Sequence, residues 1–103
     1  MTEHDIQNAI RLALSHDVCI FRANVGKVKT ADGRWFDTGL PKGHSDLCGV
    51  RKSDGRAVYI EVKTPTGKVR PEQENFIEQM RKYHALAGIA RSVEDALEIV
   101  KEK

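Results

Sequence analysis

The chain has 103 residues, of which 40% are hydrophobic and 31% charged, and its formal net charge is +2 at pH 7. This length suits one compact domain, residues 1–103, with little room for a second. No run of about eighteen apolar residues occurs and the N-terminus has no basic-then-apolar leader, so we expect neither a membrane span nor a secretion signal. We therefore expect a cytoplasmic protein.

The cysteine content argues against a disulfide framework or a thiolate metal site. Cys19 and Cys48 are the only cysteines, and they lack the close pairing of zinc ligands. Each lies in an apolar run, where a free cysteine behaves as a small hydrophobic residue. We expect both thiols to be buried and reduced.

The first half of the chain predicts a helix, a strand and a long basic segment. Thr2, followed by acids and by apolar residues at helical spacing, predicts a helix over 2–15. The apolar run 18–24 predicts a buried strand. In the basic, Gly-rich segment 25–42, the Asp32-Gly33 turn predicts a hairpin with strands near 27–30 and 34–36. Trp35 could stack on a nucleic-acid base, but we favour packing at a core edge.

The second half predicts a hairpin followed by helix, strand and helix. An Asp54-Gly55 turn joins strands 47–50 and 58–62. Pro71 suits the start of a helix whose apolar positions continue to Leu86 and Ala87, with Gly88 as its end. Residues 89–91 then form a short strand, and Ser92 caps a last helix. The order α-β-(β-β)-β-β-α-β-α predicts an α/β fold with a central mixed sheet flanked by helices.

One end of the 47–62 hairpin gathers charged residues. Asp46 immediately precedes the first strand and Glu61 lies near the end of the second, so the two carboxylates become neighbours. Glu61 and Lys63 share a face because side chains alternate along a strand. Carboxylate oxygens suit Mg²⁺ or Mn²⁺, and a lysine can orient or activate a water. The ordinary alternative is a solvated surface ion pair.

Basic residues surround this acidic centre, as phosphate binding requires. Other chemistries find no support: no histidines have zinc-type spacing, no serine lies in a nucleophile elbow, and no nucleotide-binding glycine loop occurs. The basic and histidine residues are Arg22, Lys27, Lys29, Arg34, Lys42 and His44 before the centre and Lys63, Lys68 and Arg70 after it.

The spacing of an Asp, about fifteen residues, then Glu-x-Lys resembles the PD-(D/E)xK nuclease signature. More specifically, the chain resembles a stand-alone VRR-NUC domain over essentially its whole length. The resembling segments, in family order, are Glu3 and Gln7, 22–26, 39–46, 60–64 and 67–73. The resemblance implies a restriction-endonuclease-like fold and divalent-metal catalysis without a nucleotide cofactor.

The resemblance also implies residue roles. Asp46, Glu61 and the Val62 carbonyl would bind Mg²⁺ or Mn²⁺, and Lys63 would position or activate the attacking water. Gln73 and Glu3 would face the metal centre, although by position alone Gln73 reads as an exposed helix residue and Glu3 as a helix N-terminal acid. The residues that would contact DNA are Lys42, His44, Lys68 and Arg70. The expected role of His44 is a contact to phosphate. Lys68 and Arg70 would equally suit a turn exposed to solvent.

Stand-alone members of the family resemble phage-type resolvases, so the expected substrate is branched DNA, especially the four-way junction, in a bacterial or phage-infected cytoplasm. The alternatives are a flap or nicking endonuclease with the same site and a non-catalytic DNA-binding module. Two coordinated cuts in a junction require two sites, which predicts a homodimer. Either the segment 25–42 or the last two helices would reach the partner.

Overall fold

A computed structural model describes all residues from 1 to 103. Its three helices and six strands follow one another in the predicted order. None of the helices combines the length and apolar character needed to cross a membrane. The elements are α1 (Glu3–Leu14), β1 (Val18–Arg22), β2 (Lys27–Lys29), β3 (Trp35–Asp37), β4 (Leu47–Arg51), β5 (Ala57–Val62), α2 (Pro71–Lys82), β6 (Leu86–Ala90) and α3 (Val93–Lys101).

The central sheet is mixed, as the sequence predicts. Its strand order is β1-β4-β5-β6, with antiparallel pairs except for the parallel pair β5–β6. The antiparallel β4–β5 pair is the predicted hairpin, with Leu47 opposite Ile60. A parallel neighbour requires a crossover connection, and α2 supplies it between β5 and β6.

Helices cover the two faces of this sheet unequally. Val58, Ile60 and Val62 point to one face, where they join the buried core with the apolar stripes of α1 and α3. Tyr59 and Glu61 point to the opposite face, where α2 packs. The α2 helix contacts β5 and β6, so the β1–β4 half of that face has no helix over it.

The first strand is less buried than expected. β1 is an edge strand that ends at Arg22, and it turns only one face to the core. Val18 is buried, whereas Cys19 is exposed and the Phe21 side chain is 51% exposed. The prediction of a buried strand and of a buried Cys19 is therefore wrong. An apolar run identifies a strand but does not reveal whether a helix covers both of its faces.

The second helix ends earlier than predicted. α2 stops at Lys82, Tyr83 is 75% exposed, and His84 takes the left-handed conformation that closes the helix (φ 69°). Leu86 and Ala87 begin β6, because they pair with Val58 and Tyr59 of β5. This pairing is non-local, so the helical spacing of the apolar residues misled the prediction.

Gly88 does not end the helix; it lies inside β6. A Cβ atom at this position would come within 2.8 Å of the Ile99 side chain of α3. Glycine is therefore needed for close packing of α3 on the sheet, not for a helix end.

The predicted basic hairpin is present as a separate two-stranded sheet. β2 and β3 pair antiparallel, with Lys29 opposite Trp35. Every residue of both strands is exposed, and Trp35 is 69% exposed. The expectation that Trp35 covers a core edge is therefore wrong.

Candidate active site

The hairpin brings Asp46 and Glu61 together. Leu47 pairs with Ile60, so the preceding Asp46 lies beside Glu61 at the end of the sheet. The Asp46 carboxylate is fixed there because its Oδ2 accepts a hydrogen bond of 2.9 Å from the Val62 N–H. A charged acceptor on a backbone donor makes a strong and directional bond.

Glu61 is an unusual carboxylate because it is almost completely buried, with 2% of its surface exposed. Its Oε2 accepts a 3.2 Å hydrogen bond from Gln73 Nε2, and Lys63 Nζ lies 4.0 Å from the same oxygen. The other oxygen, Oε1, is buried and no donor group of the protein reaches it. A buried acceptor needs a partner, which here is either a cation or, on a protonated Glu61, the Asp46 carboxylate that accepts its proton.

Gln73 is held in place by the start of α2. Pro71 occupies the first helical position, where no N–H is needed. The Gln73 Oε1 accepts the Arg70 N–H at 3.0 Å, which leaves Nε2 to donate to Glu61. Gln73 is therefore a buried residue in contact with Glu61, and the reading of it as an exposed helix residue is wrong.

The electrostatics of the site favour a cation. Burial raises the pKa of Glu61 to about 9, helped by the hydrogen bond and negative charge of Asp46 and opposed by Lys63. Two adjacent carboxylates cannot both ionise in a buried site without a compensating charge. One lysine does not supply enough positive charge, so without a cation the Glu61 carboxyl keeps its proton at neutral pH.

The donor set fits a hard divalent cation. The unpartnered Glu61 Oε1 and the neighbouring Asp46 are oxygen donors of the kind that Mg²⁺ and Mn²⁺ prefer. No group of three or more His, Cys, Asp or Glu side chains converges anywhere in the structure. A metal ion here would therefore take two carboxylates and fill its remaining positions with backbone oxygen, water or phosphate, as Mg²⁺ commonly does.

A comparison with protein families identifies this arrangement. The family model described as VRR-NUC domain matches residues 2–94. The chain belongs to the VRR-NUC family. A search of curated proteins found no match to it. The family assignment, with the mixed sheet flanked by helices, is consistent with a restriction-endonuclease-like fold and makes the chain a nuclease domain of the PD-(D/E)xK type that acts on DNA.

Two residues of the first helix belong to the segments that resemble the VRR-NUC family. Glu3 is partly buried, and its negative charge contributes to the raised pKa of Glu61. Gln7, one turn later, is buried, and its Oε1 has no hydrogen-bond partner. α1 therefore turns the Gln7 amide to the interior, and Glu3 lies close enough to Glu61 for its charge to act there.

The residues predicted to contact DNA differ in their surroundings. Lys42, Lys68 and Arg70 are exposed, and Arg70 lies 3.7 Å from the Glu72 carboxylate. His44 is partly buried: its ring packs on Phe76 with centroids 4.8 Å apart, and its Nδ1 lies 2.8 Å from the Ser45 carbonyl oxygen. His44 therefore also supports the loop that carries Asp46.

Two residues of this VRR-NUC domain support the site although the sequence analysis assigned them no role. Arg91 follows β6, and its Nη1 donates to the carbonyls of Thr64 and Gly67 at 2.6 and 2.7 Å, which fixes the loop after Lys63. Gly43 lies so close to α2 that a Cβ would fall 2.2 Å from the Glu72 carbonyl oxygen. In the sequence, Gly43 stood out only as part of the resembling segment 39–46, and no sequence pattern pointed to Arg91.

Proposed function

We propose that this VRR-NUC domain is a Mg²⁺- or Mn²⁺-dependent endonuclease that hydrolyses phosphodiester bonds in branched DNA, with the four-way junction as preferred substrate. One observation carries the proposal. The buried Glu61, whose Oε1 receives no donor from the protein, lies beside Asp46 and within reach of Lys63 and Gln73. A structural ion pair with Lys63 does not explain a second carboxylate placed next to this buried one.

The chain's residues divide the catalytic work. A divalent cation held by Asp46, Glu61 and the Val62 carbonyl would stabilise negative charge on the phosphate and the leaving oxygen. Lys63 has a nearly buried ammonium with three donors, which suits it to hold the attacking water and to offset charge on the phosphate. Gln73 keeps the Glu61 carboxylate oriented, and Glu3 adds negative charge behind it.

The test removes one catalytic group at a time. In Asp46→Asn, Glu61→Gln and Lys63→Ala, cleavage of a labelled four-way junction in Mg²⁺ should fall by about a hundredfold or more, because each change removes an interaction with the transition state. DNA binding in Ca²⁺, which prefers looser coordination than Mg²⁺, should persist without cleavage. Near-normal cleavage by any variant would remove that residue from the catalytic set.

The chain offers a matched control. Glu98 and Lys101 lie 4.0 Å apart, like Glu61 and Lys63, but both side chains are 78% exposed. Glu98→Gln and Lys101→Ala make the same chemical changes outside the site and should leave cleavage unchanged. Flap and linear substrates measured alongside the junction decide between a resolvase and a flap or nicking enzyme. Binding without cleavage in any metal would favour the non-catalytic module.

We also propose that the active form is a homodimer, because paired cuts in a junction require two copies of the site. The β1–β4 half of the sheet, which no helix covers, offers an apolar surface. Phe21 and Val50 are 51% and 43% exposed on it, beside Cys19 and Cys48. Exposed apolar side chains grouped on one face are typical of protein interfaces.

A further inference from the structure

The β2–β3 hairpin, residues 25–38, forms an ordered basic arm outside the core. Its turn is closed by backbone hydrogen bonds between Thr30 and Arg34 (2.7 Å) and between Gly33 and Thr30 (3.0 Å). Its base is closed by the Thr38 N–H, which donates to the Gly26 carbonyl at 2.9 Å. The arm is thus a defined hairpin, yet all its strand side chains are exposed.

The two faces of the arm differ in chemistry. Residues opposite each other in an antiparallel pair share a face, and neighbours along a strand alternate. Lys29 lies opposite Trp35 and Lys27 opposite Asp37, so one face carries the indole and both lysines. Val28 lies opposite Phe36 on the other face, which is apolar. We call the first the Trp35 face.

The arm carries a small excess of positive charge. Residues 25–38 contain three basic and two acidic side chains, and Lys42 lies just beyond them. The Asp32 carboxylate already has partners within the turn: it lies 3.3 Å from the Arg34 guanidinium and accepts a hydrogen bond from the Thr30 hydroxyl. Neither Lys27 nor Lys29 forms a salt bridge. Two lysines without salt-bridge partners beside an exposed indole suit a ligand that carries both phosphate groups and flat aromatic bases.

We propose that the Trp35 face binds an unpaired nucleotide of the DNA substrate, with its base stacked on the indole and its flanking phosphates at Lys27 and Lys29. The proposal rests on the proposed function only in taking DNA as the ligand. Aromatic side chains flanked by cations bind single-stranded nucleic acid in this way, since every base offers a π-face. In duplex DNA the bases are already stacked, so this contact selects sites where strands separate.

A second copy of the chain is a poorer occupant of the Trp35 face. A two-fold contact places the same surface patch on both subunits. Lys27 and Lys29 would then face the same lysines of the partner, and this face holds a single acid, Asp37, whose Oδ1 already accepts the Gly39 N–H at 2.8 Å. The charge on this face therefore favours a nucleic acid over self-association.

The test uses Trp35 as its own probe, because it is the only tryptophan in the chain. In EDTA, titration with a duplex that contains an unpaired bulge should quench the indole fluorescence, whereas the same duplex fully paired should not. Trp35→Ala should weaken binding of the bulged duplex about tenfold by fluorescence anisotropy, and Trp35→Phe should retain most of it. Binding of the paired duplex should change little in either variant.

Tyr83→Ala is the matched control, since Tyr83 is an aromatic residue of similar exposure outside the arm. It should leave both affinities unchanged. Saturated binding of the bulged duplex without quenching, or an equal loss for both duplexes in Trp35→Ala, would overturn the proposal. The measurement needs no metal and no turnover. Quenching of the indole fluorescence without DNA cleavage in the activity assay would therefore contradict only the proposed function. DNA cleavage without quenching would contradict only this inference.

Discussion

Glu61 shows how one side chain couples the stability of the domain to its function. It is a carboxyl group buried at the cost of its hydration, and its contacts with Gln73 and Lys63 compensate only in part. In a domain of marginal stability, the chemistry proposed for Glu61 explains such a burial better than packing does. The energetic cost should therefore be visible as a dependence of stability on pH.

The metal-free protein should lose stability between about pH 5 and pH 9. The folded pKa of Glu61 is about 9, above the ordinary value of 4.5. Between these values the folded state keeps a proton that the unfolded state has lost, so unfolding becomes easier as the pH rises. Urea unfolding in EDTA measures this, and Glu61→Gln should flatten the slope relative to wild type.

The same titration should respond to metal. A cation binds the deprotonated carboxylate, so Mg²⁺ should stabilise the protein more at the alkaline end of this range than at the acidic end. Glu98→Gln, which changes an exposed glutamate, should keep the wild-type slope. A wild-type stability that does not change with pH in EDTA would contradict the raised pKa.

At the scale of the elements, the site depends on how closely the loop before β4 approaches the start of α2. Asp46 comes from that loop and Gln73 from the helix, and Gly43 lies where the two meet. Its φ of +86° is accessible to glycine at little cost, and the Glu72 backbone occupies the space of a side chain. Contact between two backbones thus sets the distance between the residues of the site.

Gly43→Ala should therefore damage both stability and cleavage. The alanine meets two costs, an unfavourable positive φ and a clash with the Glu72 backbone, and together they should lower the free energy of unfolding by about 2 kcal/mol or more. Gly55→Ala is the control, because Gly55 also has a positive φ of 72° but no atom within 4 Å of its Cβ position. It should cost only about 1 kcal/mol.

Cleavage separates the two glycine variants further. Under conditions where both proteins are folded, Gly43→Ala should cleave more slowly because Asp46 moves relative to Gln73, whereas Gly55→Ala should cleave normally. Equal cleavage rates would show that the loop can shift without disturbing the site.

The element order and the pairing of Asp46 with Glu61 were predictable because they depend on local signals. Turn residues at Asp54-Gly55 and strand alternation fix the hairpin register within a short stretch. The end of α2 and the exposure of β1 depend on contacts between distant segments. The residues near Leu86 do not indicate that Leu86 pairs with β5. The residues near Phe21 do not indicate that α2 leaves Phe21 uncovered.

At the scale of the whole molecule, the sheet is covered on one face by two helices and on the other by one. This asymmetry leaves the β1–β4 half of the second face open, on the same side of the sheet as Glu61. A second copy docked there would lie on the same side of the sheet as the candidate site. The open half-face is therefore our candidate for the dimer interface.

Phe21→Arg should weaken the dimer, because it places a charge at the centre of that apolar surface. Sedimentation at micromolar concentration should show a shift toward monomer, and a junction should then receive single nicks instead of paired cuts. Leu12→Arg is the control, since Leu12 is 79% exposed on α1, on the other side of the sheet. A wild-type monomer that still makes paired cuts would rule out the dimer.

The closed base of the arm has a consequence for how such a nuclease changes its target. Gly26 and Thr38 are hydrogen-bonded neighbours, so everything between them can be lengthened, shortened or exchanged while the chain enters and leaves the arm at the same two points. The carboxylates belong to other segments and are not displaced. Under the role proposed for the arm, changes within it would alter the DNA shape that is selected without rebuilding the site proposed to cut it.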